Sequence, residues 1–298
     1  MTQVRPTRGQ PSPIQGRILI LLAAVLWSTS GGFTKALTQE TQFGLNHPTL
    51  SPLLIAFFRV LAAGIVLLPT VRKRDISFRP LMIVMALTFA TMNALFVTAM
   101  ARGTAANAIL LQYSAPLWMF AACVLFLGER ADLRSLLSIC VGTLGIAIIV
   151  IGGWEESELT VVAMGLGSGL TYAAILIFLR ILRTASSQWL TTLNMLISAL
   201  VLLPFVGPLP EVTLSQLVTL GVFGALQLGL PYLLMARGLR SVSPQEAGAI
   251  TLIEPILNPF WAYLIVGELP DRFTWIGGCF ILTALLWRYW PSKAVAGK

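Results

Sequence analysis

Apolar residues fill this chain in long blocks, and polar residues gather in the short links between them. Ten blocks, at 17–37, 51–71, 79–101, 105–127, 134–152, 160–182, 187–206, 213–236, 244–266 and 273–290, are predominantly apolar throughout. A helix of about 20 such residues crosses a hydrocarbon core of roughly 30 Å. Backbone in lipid must satisfy its own hydrogen bonds, which leaves the helix as the natural reading of each block. The pattern predicts an all-α integral membrane protein with ten transmembrane helices. It divides into an N-terminal tail over 1–16, a first five-helix set over 17–152, a second over 160–290 and a C-terminal tail over 291–298. No stretch remains for a separate soluble domain.

Composition agrees with the pattern. Of 298 residues, 56% are hydrophobic and only 11% charged, with a mean hydropathy of +0.83, whereas a soluble domain carries roughly 25% charged residues. The net charge of +8 does not point to nucleic acid, because that chemistry needs Lys and Arg clustered on a water-facing surface. Here they stand singly between apolar blocks. The three cysteines, Cys123, Cys140 and Cys279, all fall inside apolar blocks, so they read as buried thiols and not as a disulfide framework. The polar, proline-rich start of the chain runs into an apolar block too long for a cleavable signal.

The basic residues also set the orientation. Cytoplasmic loops collect Lys and Arg, and with the N-terminus inside, all of them except Lys35, Arg59, Arg102 and Arg272 fall on the cytoplasmic side. Both termini are then cytoplasmic. Arg59 lies within a span, and the outer side holds most of the acids, Glu155, Glu156 and Glu158 among them.

The chain repeats itself. Met100 to Gly103 and Met235 to Gly238 both read MARG, and Ile65 to Pro69 matches Leu200 to Pro204 at the same offset. Arg59 then aligns with Asn194. Further on, Pro116 aligns with Pro255, Gly128-Glu129 with Gly267-Glu268, and Asp132 with Asp271; in the first span, Trp27 and Lys35 align with Tyr172 and Arg180. Matches in chain order that include charged positions indicate a duplication. Because each copy holds five spans, an odd number, the second copy enters the membrane in the opposite sense. Two inverted five-helix repeats around a central cavity are the layout of a secondary transporter. One chain then holds both halves, so a monomer is sufficient.

Polar side chains at membrane depth are costly and therefore mark functional candidates. Glu254, in ITLIEPILNPF, sits mid-span beside Pro255, which cannot donate a backbone hydrogen bond. It either takes part in proton coupling or in attracting a substrate ammonium, or it is a neutral acid bonded to a neighbouring helix. Arg59, in LLIAFFRVLAAG, either binds a carboxylate or has a structural partner such as Glu254 or backbone carbonyls. Lys35 either snorkels to the outer interface or belongs to an outer gate. The amphipathic candidates for substrate contact are Trp27, Ser28, Asn93, Gln112, Tyr113, Trp118, Tyr172, Gln227, Tyr232, Asn258 and Trp261, with Ser30 and Asn107 nearby in sequence. Interhelical hydrogen bonding and interfacial anchoring are the competing roles for these types. Pro116 and Pro255 are expected to distort their helices and free backbone groups for a polar ligand.

Several chemistries find no footing. The chain has no phosphate-binding Gly-x-x-x-x-Gly-Lys-Ser/Thr loop, its GxGxG run at Gly165 to Gly169 lies in a span with no preceding strand, and His47 is its single histidine. ATP hydrolysis, dinucleotide binding and a histidine-based metal or haem site are not expected. No enzyme activity, cofactor or metal is expected.

The stretches WSTSGGFTKAL, Arg59, MARG, Pro116 with LFLGER, and IEPILNPFWAYLIVGEL together resemble the EamA-type families of the drug/metabolite transporter superfamily, over nearly the whole chain. Ala115 departs from the duplicated pattern, since the second half has Glu254 there. The resemblance implies a ten-helix carrier that moves small metabolites by alternating access in a bacterial inner membrane. Within the superfamily the chain looks most like amino-acid exporters of the YddG type, which implies aromatic and neutral amino acids as cargo. Exporters of other metabolites, drugs or organic cations are the alternative, followed by a channel and a non-transporting membrane protein. Proton coupling and facilitated diffusion both fit this reading.

Overall fold

A computed structural model describes residues 11–127, 133–152, 156–207 and 212–289. The expected tail residues 291–298, most of the N-terminal tail, and the repeat partners Gly128-Glu129 and Asp132 lie outside the described residues. Those described are helical apart from short links and turns, and helices cover all ten apolar blocks.

The first block contains α1 (Pro13–Ser28) and α2 (Ser30–Thr38). Helix α1 begins at Pro13, four residues earlier than the apolar block, because Ser12 and Gln15 form a reciprocal cap and proline occupies the first turn. At the α1–α2 boundary, Ser28 and Thr29 hydroxyls donate to the carbonyls of Val25 and Leu26, each at 2.6 Å, a back-bonding pattern that bends helices. Helices α3 (Pro52–Leu67) and α4 (Pro80–Arg102) each start on a proline. The fourth block breaks into α5 (Ala105–Gln112) and α6 (Ala115–Leu127), and α7 (Leu133–Gly152) completes the first half.

The second half holds α8 (Glu156–Ile181) and α9 (Ser187–Leu202). Its eighth block is not one regular helix: α10 (Leu214–Val222) passes into a π-helical segment, Phe223–Gly229, before α11 (Leu230–Gly238). The ninth breaks into α12 (Pro244–Thr251) and α13 (Glu254–Val266), and α14 (Arg272–Tyr289) closes the chain's described part, capped by Asp271, which accepts from the Thr274 backbone at 2.9 Å. The two breaks, at Tyr113-Ser114 and Leu252-Ile253, fall just before Pro116 and Pro255.

Among the described residues, eight helical stretches are long and apolar enough to cross a membrane, and Leu136–Gly152 is a shorter apolar helix. The protein is a multi-pass membrane protein. Large apolar side chains on its outside, including Leu125, Ile151, Leu200, Leu264 and Trp287, face what a bilayer supplies. Cys140 and Cys279 are also exposed, and only Cys123 is buried. In lipid an apolar block has two apolar faces, so apolarity alone does not place a thiol in the core.

Packing follows a pattern across the two halves. Helix α4 packs on α8 as α1 packs on α11, α5 packs on α8 as α2 packs on α13, and α3 pairs with α9 and α7 with α14. The α7–α14 contact is close because both helices offer glycine at the crossing. A methyl group on Gly145 would lie 2.6 Å from the Gly277 carbonyl, and one on Gly277 2.5 Å from that of Gly145. Small residues at helix crossings let backbones approach where lipid provides no hydrophobic drive.

Candidate functional site

A cavity of about 600 Å³ lies where the halves meet, lined by Trp27, Arg59, Asn93, Gln112, Tyr113, Pro116, Tyr172, Gln227, Tyr232 and Glu254. These come from α1, α3, α4, α5, α6, α8, the π-helical segment, α11 and α13, so the site is a shared product of both halves. It continues past Ser187 and Gln188 at the start of α9, Arg240 on the α11–α12 link and Pro244 at the start of α12, and past Tyr289. That is also the end where Arg17 of α1 pairs with Glu246 of α12.

Arg59 forms the polar centre of one wall and is only 5% exposed. Its Nε donates to Gln227 Oε1 at 2.8 Å and its Nη1 to Asn93 Oδ1 at 2.6 Å. Those amides are themselves oriented, since Asn93 Nδ2 donates to the Ala56 carbonyl at 3.1 Å and Gln227 Nε2 to that of Trp27 at 3.0 Å. The guanidinium also lies over the rings of Phe96 and Phe223, 5.6 and 5.4 Å from their centroids. The π-helical segment supplies both Phe223 and Gln227, and Gly224 in the same turn touches the Arg59 carbonyl, where a side chain would clash. Such segments are frequent at functional sites. The partners expected for Arg59, Glu254 or backbone carbonyls, are not the ones found.

Glu254 opens α13 and lines the same cavity. Its Oε2 lies 2.9 Å from the Tyr113 hydroxyl, which is also 3.1 Å from the Thr251 carbonyl. Tyr113 ends one broken helix while Thr251 and Glu254 flank the other break, so this one phenol joins the two discontinuities. The hydroxyl has a single proton, and a carbonyl can only accept. Both bonds form together when Glu254 is the protonated donor to Tyr113 and Tyr113 donates to Thr251. Aromatic surface completes the site, with Trp27 and Tyr232 edge-on at 5.4 Å between centroids.

Not every predicted residue reaches the cavity. Asn258 is fully buried and donates to Ser30 Oγ at 2.7 Å, and Trp261 Nε1 donates to Ser28 Oγ at 2.9 Å; both contacts join the α13 helix to the first block. Trp118 is 39% exposed and bonds Ser114 within its own helix region. Pro255 is buried in α13 without lining the cavity. Asn107 meets Thr274 at 2.5 Å. Phe89, Phe96 and Tyr289 line the cavity although their sequence context, apolar or at a block's end, gave no sign of it.

Lys35 lies at the other end of the protein. It is 1% exposed, and its Nζ sits 2.6 Å from Glu268 Oε2 and donates to the Gly103 carbonyl at 2.6 Å. The second carboxylate oxygen accepts from the Ala105 backbone at 2.7 Å. Snorkelling to water is not what this lysine does here; it ties α2, the α4–α5 turn and the α13–α14 link into one closed knot.

The EamA-like transporter family matches residues 14–151 and matches again over 159–290. The chain belongs to the EamA-like transporter family. The match of one family to both halves accords with the repeated sequence motifs. An uncharacterized transporter of Archaeoglobus fulgidus is 29% identical over 279 residues, covering 92% of this chain and 96% of its own. The uncharacterized inner membrane transporter YicL of Salmonella typhimurium is 22% identical over 293 residues, covering 91% and 94%. A crystal structure with 15% sequence identity shares the fold at a TM-score of 0.63, across 92% of this chain and 96% of that one. As a member of a transporter family, the protein handles a small-molecule substrate in a lipid environment.

Proposed function

We propose that this protein is a secondary transporter of a bacterial inner membrane that exports small metabolites, amino acids with aromatic or neutral side chains above all, by alternating access. The observation that carries the reading is the cavity at the meeting point of two broken helices. Its volume of about 600 Å³ suits a small metabolite, and its mixture of aromatic rings with a few polar groups suits an amino acid.

In this reading the chain crosses the membrane ten times as two inverted repeats of five helices, 17–152 and 160–290, with both termini in the cytoplasm. The packing pattern supports it, because α4 on α8 and α1 on α11 become equivalent when the halves are exchanged. α7 and α14 count as the fifth and tenth spans, steadied by each other. The cavity reaches the links rich in Lys and Arg and stops short of the Lys35 knot, so the arrangement corresponds to an inward-facing carrier with its outer side closed. A single chain suffices.

Proton coupling centres on Glu254. Protonated, it lets Tyr113 hold Thr251 and so joins the two helix breaks; ionised, it draws the Tyr113 proton to itself and leaves the Thr251 carbonyl without that bond. Ionisation of one side chain thus changes a contact between the halves.

The test is uptake of a panel of radiolabelled amino acids into proteoliposomes holding the purified protein, with and without an imposed pH gradient. Saturable uptake of a few amino acids that responds to the gradient is the expected result. Uptake no greater than in empty liposomes, with folded protein, would remove the amino-acid assignment.

A further inference from the structure

We propose that Arg59 receives the carboxylate of the transported molecule, and that Glu254 faces its ammonium group across the same cavity. The proposal deepens the amino-acid reading by assigning the two charged ends of the substrate to two side chains.

It starts from an imbalance. An arginine in the middle of a membrane span is costly, and proteins ordinarily pair such a charge with an opposite one or with backbone carbonyls. Arg59 has none in contact: among the described residues the ion-paired carboxylates belong to Arg17 and Lys35, and Glu254 acts on Arg59 only through space. Its recorded hydrogen bonds go to two neutral amide oxygens. The rings of Phe96 and Phe223 favour a cation at this place, but they carry no net charge. The cradle therefore fixes the guanidinium without cancelling it. Two of its five N–H donors are used by Gln227 and Asn93, which leaves donors for a further acceptor in the cavity that Arg59 lines.

The cradle is also built in advance. Asn93 and Gln227 spend their own amide protons on the Ala56 and Trp27 carbonyls, so their oxygens can only face the guanidinium. A cation held this way needs little reorganisation on binding, and its attraction for an anion is strengthened away from bulk water.

Glu254 decides what kind of anion fits. It lines the same cavity and forms no ion pair with Arg59. With Glu254 ionised, a molecule with two negative groups would set one of them against it, and an organic cation lacking an acid would leave Arg59 without a bound counter-charge. A zwitterion answers both. Trp27, Tyr172 and Tyr232 offer the apolar surface for its side chain.

The experiment is equilibrium binding to the purified full-length protein in nanodiscs, read by isothermal titration calorimetry, with L-phenylalanine, 3-phenylpropanoate, 3-phenylpropanol and phenethylamine. In the wild type, replacing the carboxylate of 3-phenylpropanoate by the alcohol is expected to weaken binding about tenfold or more, the size of a lost hydrogen-bonded charge contact. Arg59→Gln is expected to abolish that difference and to leave phenethylamine as tight or tighter; Arg59→Lys, which keeps the charge, should restore part of it. Equal wild-type binding of acid and alcohol overturns the proposal without any variant. L-phenylalanine binding that is unchanged in Arg59→Gln overturns it as well, while the amino-acid reading stands. Loss of 3-phenylpropanoate binding in Arg59→Gln, with no L-phenylalanine binding to either protein, supports the carboxylate site and removes the amino-acid reading instead.

Discussion

Lys35 and Arg59 are both buried basic residues in a membrane protein, yet their surroundings differ in one decisive respect. Lys35 meets a carboxylate at 2.6 Å and a backbone carbonyl at the same distance, while Arg59 meets two neutral amides and two phenylalanine rings. The first charge is cancelled by the protein and the second is only held in place. A cancelled charge ties elements together, and an uncancelled one beside a cavity is available to a ligand. In the proposed reading, the difference separates a closed end of the molecule from a receptive centre.

The sharpest way to break this comparison is to delete each charge in turn. Lys35→Met leaves Glu268 largely buried and uncompensated, which is expected to destabilise the protein by about 3–5 kcal/mol. Adding Glu268→Gln to Lys35→Met should recover most of that loss, as measured by unfolding of the detergent-solubilised proteins. A double variant as unstable as the single one would mean that Lys35 matters for its packing and not for its charge. Arg59→Gln should do the reverse: ligand affinity drops about tenfold or more, while stability stays within about 1 kcal/mol, because no carboxylate is stranded and the new amide can still reach one of its neighbours. A collapse in stability like that of Lys35→Met would place Arg59 among the structural residues.

Smaller effects are expected at the Tyr113 bridge. Tyr113→Phe removes the link to Thr251 and Glu254, at about 1 kcal/mol of stability. Glu254→Gln keeps both bonds, since its amide can donate to Tyr113 as a protonated acid does. Its stability should match the wild type while uptake no longer responds to a pH gradient. A gradient response retained in Glu254→Gln would remove this acid from coupling. The smallest effect belongs to the Arg17–Glu246 pair, whose side chains are 54% and 39% exposed; Arg17→Gln should leave both unfolding and uptake unchanged, as exposed pairs contribute little.

Much of this was legible in the sequence, and for a physical reason. Membrane depth makes every polar residue conspicuous, so Arg59, Asn93, Tyr113, Gln227 and Glu254 stood out and the structure gathers all five around one cavity. Helix breaks were legible too, from Pro116 and Pro255. Helix facing was not. Ser28, Asn258 and Trp261 are as polar as their neighbours, but the bend at Thr29 and the restart of α13 at Glu254 turn them into the α13 interface. The π-helical segment was equally hidden, since FGALQLG has no local signature that separates it from an ordinary apolar turn. Nor does sequence pair Lys35 with Glu268, two residues from different halves that meet only after the helices have packed. Tyr289, at the end of an apolar block, lines the cavity although nothing in its sequence context marks it.

The central claim is that the cavity is a carrier site that opens to each side in turn. Counterflow tests it most directly: proteoliposomes loaded with unlabelled L-phenylalanine are diluted into a trace of the labelled amino acid, and accumulation of label is followed with no ion gradient imposed. A carrier should show a transient overshoot of label inside, greatly reduced in Arg59→Gln. Simple equilibration of label without overshoot, at a rate that does not saturate, would contradict the account and describe a pore.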